Sequence, residues 1–237
     1  MKQFKKIIKR YIPRPLLDKL WNARRKKNVK DVFTGIYKSN AWESEETVSG
    51  PGSGMDRTAI LRSTLPGIFA KYQIKDLLDL PCGDFNWFRA VDLSNIRYTG
   101  ADIVDDLIRL NNSLYKKENI DFRVLDIIHD PLPQVDMIFC RDCLVHLPDE
   151  YILRAIGNII KSRSRLLVTT TYPSIKVNTD MFTGGWRPVN LMKAPFNFPE
   201  ALEMINDGSK ANNGINADKT LGIWEIKSLG IPEIKTP

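Results

Sequence analysis

Only two histidines, His129 and His146, and three cysteines, Cys82, Cys140 and Cys143, occur among the 237 residues. That scarcity bounds the chemistry. Cys140-x-x-Cys143 has no second pair to complete a zinc site, so no metal is expected. The cysteine count is odd and all three lie in or beside apolar segments, which reads as reduced thiols of a cytoplasmic protein. No apolar run approaches the roughly 20 residues of a membrane span. The first apolar positions are interrupted by lysines, unlike a signal peptide. No Gly-x-Gly-x-x-Gly follows a strand-like run, which argues against a nicotinamide-dependent oxidoreductase.

What is present is unevenly placed. Residues 1–30 hold twelve Lys/Arg and one acid, Asp18, whereas the rest of the chain carries −4 of the net +7. The body is therefore mildly acidic, and a large nucleic-acid footprint, which needs a basic face on the domain, is not expected. The basic character belongs to an N-terminal extension. Phe4, Ile7, Ile8, Tyr11 and Ile12 share one helical face, with lysines and Arg10 on the other, before Pro13 and Pro15. Such a helix suits the inner face of an anionic membrane or a partner chain, or is a solvated tail. RNA docking through this tail is a further alternative.

The stretch Ile74–Phe88, IKDLLDLPCGDFNWF, organises the remainder. Leu77, Leu78 and Leu80 make a short apolar run of the length of a buried parallel strand, ending in Asp79 and a Gly83-bearing turn. Such a turn aims backbone N–H groups beyond the strand's carboxyl end. The acid there rejects a pyrophosphate but suits an amine or a ribose hydroxyl. Ile96–Ile103 is a second strand ending in an acid, Asp102, placed to accept ribose hydroxyls or to cap the following helix. Ile120–Ile127 is a third, ending at Asp126. Val135–Cys140 is a fourth, leading into Arg141-Asp142-Cys143-Leu144-Val145-His146. If the chain turns helical there, Asp142 and His146 share a face. His146 then has the pKa to take a proton from a hydroxyl, with a carboxylate to orient it, or else simply fills a helix.

With its spacing to Asp102 and Asp126, Asp79-Leu80-Pro81-Cys82-Gly83 resembles motif I of the class I S-adenosylmethionine-dependent methyltransferases, Asp-x-Gly-x-Gly-x-Gly. Asp79 and Gly83 match, while Pro81 and Phe85 replace the first and third glycines. A mostly uncharacterised bacterial group of that superfamily shares the Trp42…Ser-Gly-x-Gly-Ser type of segment. The resemblance implies an α/β three-layer sandwich over residues 31–237, with a mostly parallel, seven-stranded Rossmann-like sheet whose last strand is antiparallel. It implies S-adenosylmethionine as cofactor, held by Asp79, Pro81, Gly83, Asp102, Ile103, Asp126, Ile127 and the backbone of Cys140 and Arg141. The acid Asp102 would take the ribose, Asp126 the adenine amino group, and Ile127 the ring face. The loop 42–54 would fold over the site, with Arg57 or Arg62 near the cofactor's carboxylate. His146 and Asp142 are the catalytic candidates.

Between the fifth strand (165–172) and the last (221–226), residues 178–199 lack periodicity, which in a compact domain points to a functional loop. Trp186, Arg187 and Asn190, together with Trp42, are the expected acceptor-binding residues. Their chemistry suggests a glycan, small-molecule or lipid-linked hydroxyl. A non-catalytic, cofactor-binding scaffold is the rival from another class.

Overall fold

The computed structural model describes residues 28–208 and 218–230. The basic segment read in residues 1–30 therefore lies, up to residue 27, outside the described residues. The expected domain boundary at residue 30 falls inside the first described helix, α1 (Val29–Ser39). Asn28 starts it by accepting the Lys30 and Asp31 N–H groups on Oδ1, and Asn40 ends it in the left-handed conformation. Helix α2 (Ala59–Lys71) follows the 42–54 segment.

From there the order is β1 (Asp76–Asp79), β2 (Arg97–Asp102), α3 (Asp105–Tyr115), β3 (Ile120–Val124), β4 (Met137–Cys140), α4 (Asp149–Lys161) and β5 (Leu166–Thr171). Two strands close the chain, β6 (Glu203–Asn206) and β7 (Thr220–Glu225). They form one seven-stranded sheet in the order β3-β2-β1-β4-β5-β7-β6. The first five positions are mutually parallel; β7 runs antiparallel to both neighbours. The expected fold class is the one observed. The link between β1 and β2 holds only a short 3₁₀ turn at Phe88–Ala90.

Period-two alternation divides the strands between two cores. Leu77, Met137, Phe139, Leu166, Val168 and Ile223 face the layer containing α2. Leu78, Ile138, Cys140, Leu167 and Trp224 face the opposite layer, where α4 brings Ile152, Ala155, Ile156 and Ile159. Both faces being covered explains why strands such as LLVTTT and MIFC are buried along their whole length.

This topology positions the site. β1 leads leftward through β2 to β3, and β4 leads rightward to β5, so the chain reverses direction between β1 and β4. Ligands of open parallel sheets bind at that switch point, beyond the carboxyl ends of the strands.

Candidate active site

A cavity of about 480 Å³ opens at that point. Its left-hand end is built by the turns after β1, β2 and β3. Asp79, Pro81, Gly83, Asp102, Ile103, Asp126 and Ile127 all line it, so the three strand-end acids share one crevice. Gly83 adopts φ +55, and a Cβ there would fall 2.1 Å from Ser49 Oγ. The turn thus needs glycine both for its backbone and for the loop lying on it. Phe85, in place of the family's third glycine, is also left-handed at φ +57. That conformation costs roughly 1–2 kcal/mol. Burial of its ring against Tyr98, Phe122 and Tyr115, at centroid distances of 5.0, 5.1 and 5.5 Å, offsets the cost.

The acids differ in environment. Asp79 is enclosed; burial pushes its pKa up to about 8, against the lowering effect of a 2.6 Å hydrogen bond from the Tyr98 hydroxyl. Asp102 is raised to about 6, again by burial, although it accepts N–H groups from Val104 and Gly83. Its bond to Val104 N closes a turn ahead of α3, whose N-cap Val104 has no side-chain cap, so Asp102 lines the cavity without capping the helix. Asp126 accepts from Ile128 N and pairs with His129 Nδ1 at 2.8 Å. His129 is exposed, as its sequence position implied. A buried acid carrying a proton it would hold only weakly beside a cation, next to an acid with open lone pairs, fits a ligand with an ammonium group and vicinal hydroxyls. S-adenosylmethionine is such a molecule.

Segment 42–54 lies over this end. Asp84 fastens it, accepting from Thr47 Oγ1 (2.9 Å), Val48 N (3.0 Å) and Ser49 Oγ (3.1 Å). Glu46 adds bonds from Met55 N and Asn86 Nδ2. Trp42, Ser49, Gly50 and Gly52 consequently line the cavity. Arg57 lines it too, whereas Arg62 turns away to donate to the Met55 carbonyl.

The right-hand end is built on the turns after β4 and β5. The chain does not become α-helical after Cys140: Asp142 is left-handed and only Leu144–His146 forms a 3₁₀ turn. Asp142 does not orient His146 by a hydrogen bond, contrary to expectation. Its carboxylate instead accepts from Lys219 Nζ at 2.5 Å and approaches Arg141 at 3.3 Å. Burial opposes its charge, but those two cations hold it well below the usual carboxylate range. Asp207, fully buried, completes the network with both Arg141 and Lys219. His146 has a different partner: Nδ1 lies 2.5 Å from the Gly185 carbonyl oxygen. A carbonyl only accepts, so Nδ1 carries the proton and Nε2 the lone pair. Burial lowers the imidazole's pKa, against the raising effects of that bond and of Asp142, keeping it neutral. Trp42 stacks on the ring at 5.1 Å.

Three expected site residues do not reach the cavity. The side chain of Cys140, the last residue of β4, is fully buried in the core, and Cys143 lines the cavity instead. Arg187 is buried against Asp149 and the Leu147 carbonyl. Asn190 spends its amide on the Pro173 and Ile175 carbonyls. The last two tie the 178–199 loop to the start of α4 and to the chain just after β5. Trp186, on the same loop, does line the cavity. Sequence reasoning missed Tyr172, Lys219 and the α1 residues Phe33, Ile36 and Tyr37. Only the α1 set carried a signal, an Asn28 cap followed by apolar residues at helical spacing.

Residues 78–168 match the methyltransferase domain family. No curated protein matches the sequence. Among solved structures, a SAM-dependent methyltransferase from Leishmania major is similar over 88% of this chain and 89% of its own, with TM-score 0.60 and 11% identity. Magnesium protoporphyrin IX methyltransferase from Synechocystis PCC 6803, solved with bound SAM, is similar over 84% and 97%, with TM-score 0.56 and 13% identity. Human N-acetylserotonin methyltransferase is similar over 83% of this chain with TM-score 0.54 and 15% identity, and this chain spans 59% of that protein's length. From within β1 into β5, residues 78–168 are thus similar to a methyltransferase domain, and the solved methyltransferase structures share this chain's fold.

Proposed function

We propose that this protein transfers the methyl group of S-adenosylmethionine to a hydroxyl of a small acceptor, with His146 as general base. The observation that carries the reading is the tautomer of His146: the Gly185 carbonyl holds the proton on Nδ1 and leaves Nε2 basic in the cavity wall. Asp79 would hold the cofactor's ammonium, Asp102 its ribose hydroxyls, and Asp126 with Ile127 its adenine. When bound, the cofactor would supply an electrophilic methyl group to the acceptor oxygen, the C–S electron pair remaining on its sulfur. His146 Nε2 takes the hydroxyl proton, which leaves the oxygen with a free pair at the moment of attack. The rest of the task is positioning two reactants in one enclosure, for which the loop 42–54 excludes water from above.

Two variants separate the roles. Asp102→Ala should abolish cofactor binding measured by calorimetry. His146→Ala should leave that binding within about threefold but lower the rate of labelled-methyl transfer by roughly 10²–10⁴. The wild-type rate should fall on the acid side only below pH 6.5, because the imidazole's pKa is lowered from that value. An unchanged rate in His146→Ala would remove the base from the mechanism.

A further inference from the structure

Resting on that reading, we infer the class of acceptor: a planar, uncharged, hydroxylated aromatic compound. The wall around His146 is predominantly aromatic and apolar. Phe33, Ile36 and Tyr37 come from α1, Trp42 from the covering segment, and Tyr172 and Trp186 from the β5 side. Tyr172 and Trp186 meet edge to face at 6.2 Å and 85°, forming a corner, and Trp186 keeps 43% of its surface exposed. Offset and edge-to-face packing against such rings favours a flat π system.

Charge at this end is already spent. Lys219 and Arg141 neutralise Asp142 and Asp207 within one buried network, and Arg141 also donates to the Gly52 carbonyl. An anionic acceptor would have to break that network, and a cationic one would find no unshared carboxylate beside His146. A buried network that loses a partner costs several kcal/mol, more than a ligand contact returns.

Polar groups suited to a sugar are spent as well. Asn178 donates to the Asn190, Lys193 and Ala194 carbonyls, Asn190 to those of Pro173 and Ile175, and Arg187 to that of Leu147. A glycan's several hydroxyls would depend on the few polar atoms of a mostly aromatic wall, and each one left unsatisfied costs about 1–3 kcal/mol. One hydroxyl is accommodated, at Nε2 of His146. A phenolic hydroxyl also matches the base: its pKa near 10 lies within reach of a neutral imidazole, whereas a sugar hydroxyl is a far weaker acid.

The test uses three probes with the full-length protein saturated with S-adenosylhomocysteine: 2-naphthol, 2-naphthoate and methyl β-glucoside. Tryptophan quenching and calorimetry should show 2-naphthol binding at least about tenfold tighter than the others. Trp186→Ala should weaken it about tenfold while S-adenosylhomocysteine affinity stays unchanged, which checks that the variant is folded. With labelled S-adenosylmethionine, 2-naphthol should be methylated on oxygen. Equal or tighter binding of methyl β-glucoside or 2-naphthoate overturns the acceptor class, as does methyl transfer to the glucoside but not the naphthol; methyl transfer itself would then still stand. Cofactor binding with no transfer to any probe or to lysate fractions overturns the catalytic reading and the acceptor class with it.

Discussion

Replacing Asp79 by asparagine should make the free protein more stable and pH-insensitive at this position, while destroying cofactor binding. The carboxyl is 3% exposed, and burial lifts it from 3.8 to about 8. The folded chain therefore binds a proton that the unfolded chain has released over this whole interval. Stability must fall as pH rises from about 4 to 8. At pH 7 the unfolded carboxylate lies about three units above its pKa, so the penalty is about 4 kcal/mol at 1.36 kcal/mol per unit. Asparagine carries no such penalty and still presents an oxygen to the Tyr98 hydroxyl. The difference between variant and wild type should grow by about 1.4 kcal/mol per pH unit, reaching a Tm rise on the order of 10 °C at pH 7. Urea unfolding of both proteins at pH 5, 6, 7 and 8, followed by tryptophan fluorescence, measures it directly. A stability difference that stays constant across those pH values refutes the argument. An ammonium group bound beside the same acid should lower its pKa, so S-adenosylmethionine binding at pH 7 should release a proton to solvent, visible as a buffer-dependent heat of binding.

The buried network gives the opposite sign. Asp207→Asn leaves Arg141 and Lys219 with one carboxylate between them, and should cost about 3–5 kcal/mol in urea unfolding. Asp84→Ala removes three hydrogen bonds to a charged acceptor from the 42–54 segment. Cofactor affinity should fall about ten- to a hundredfold, and the segment should become cleavable by a glutamyl endopeptidase at Glu43, Glu45 or Glu46; retention of wild-type affinity would show that the segment closes without this anchor.

Asp79, Asp102 and Asp126 were legible because each ends a short apolar run, and parallel strands bring their carboxyl ends to one edge. That inference needs only strand periodicity and the order in which strands pair. The assignment of Arg187 and Asn190 to the site failed for a different reason. Residue type and position near a strand end do not reveal whether a side chain points to the cavity or is consumed by partners in other segments. Arg187 and Asn190 meet partners 38 to 40 and 15 to 17 residues away, which no local pattern displays.

The roles of Asp142 and His146 show the division most clearly. As a pair at helical spacing they suggest an acid orienting a base. The left-handed turn at Asp142 breaks that geometry and hands the carboxylate to Lys219, 77 residues on, while Gly185 takes over the imidazole.

By itself the chain's pattern of apolar runs and terminal acids determined the sheet, the cofactor edge and the chemistry available there, since these follow from local periodicity and right-handed parallel crossovers. Which cations are neutralised, which histidine nitrogen is basic and which aromatic rings enclose the acceptor were decided only by tertiary structure. Those properties depend on burial and on partners from distant segments, and both exist only once the chain has folded.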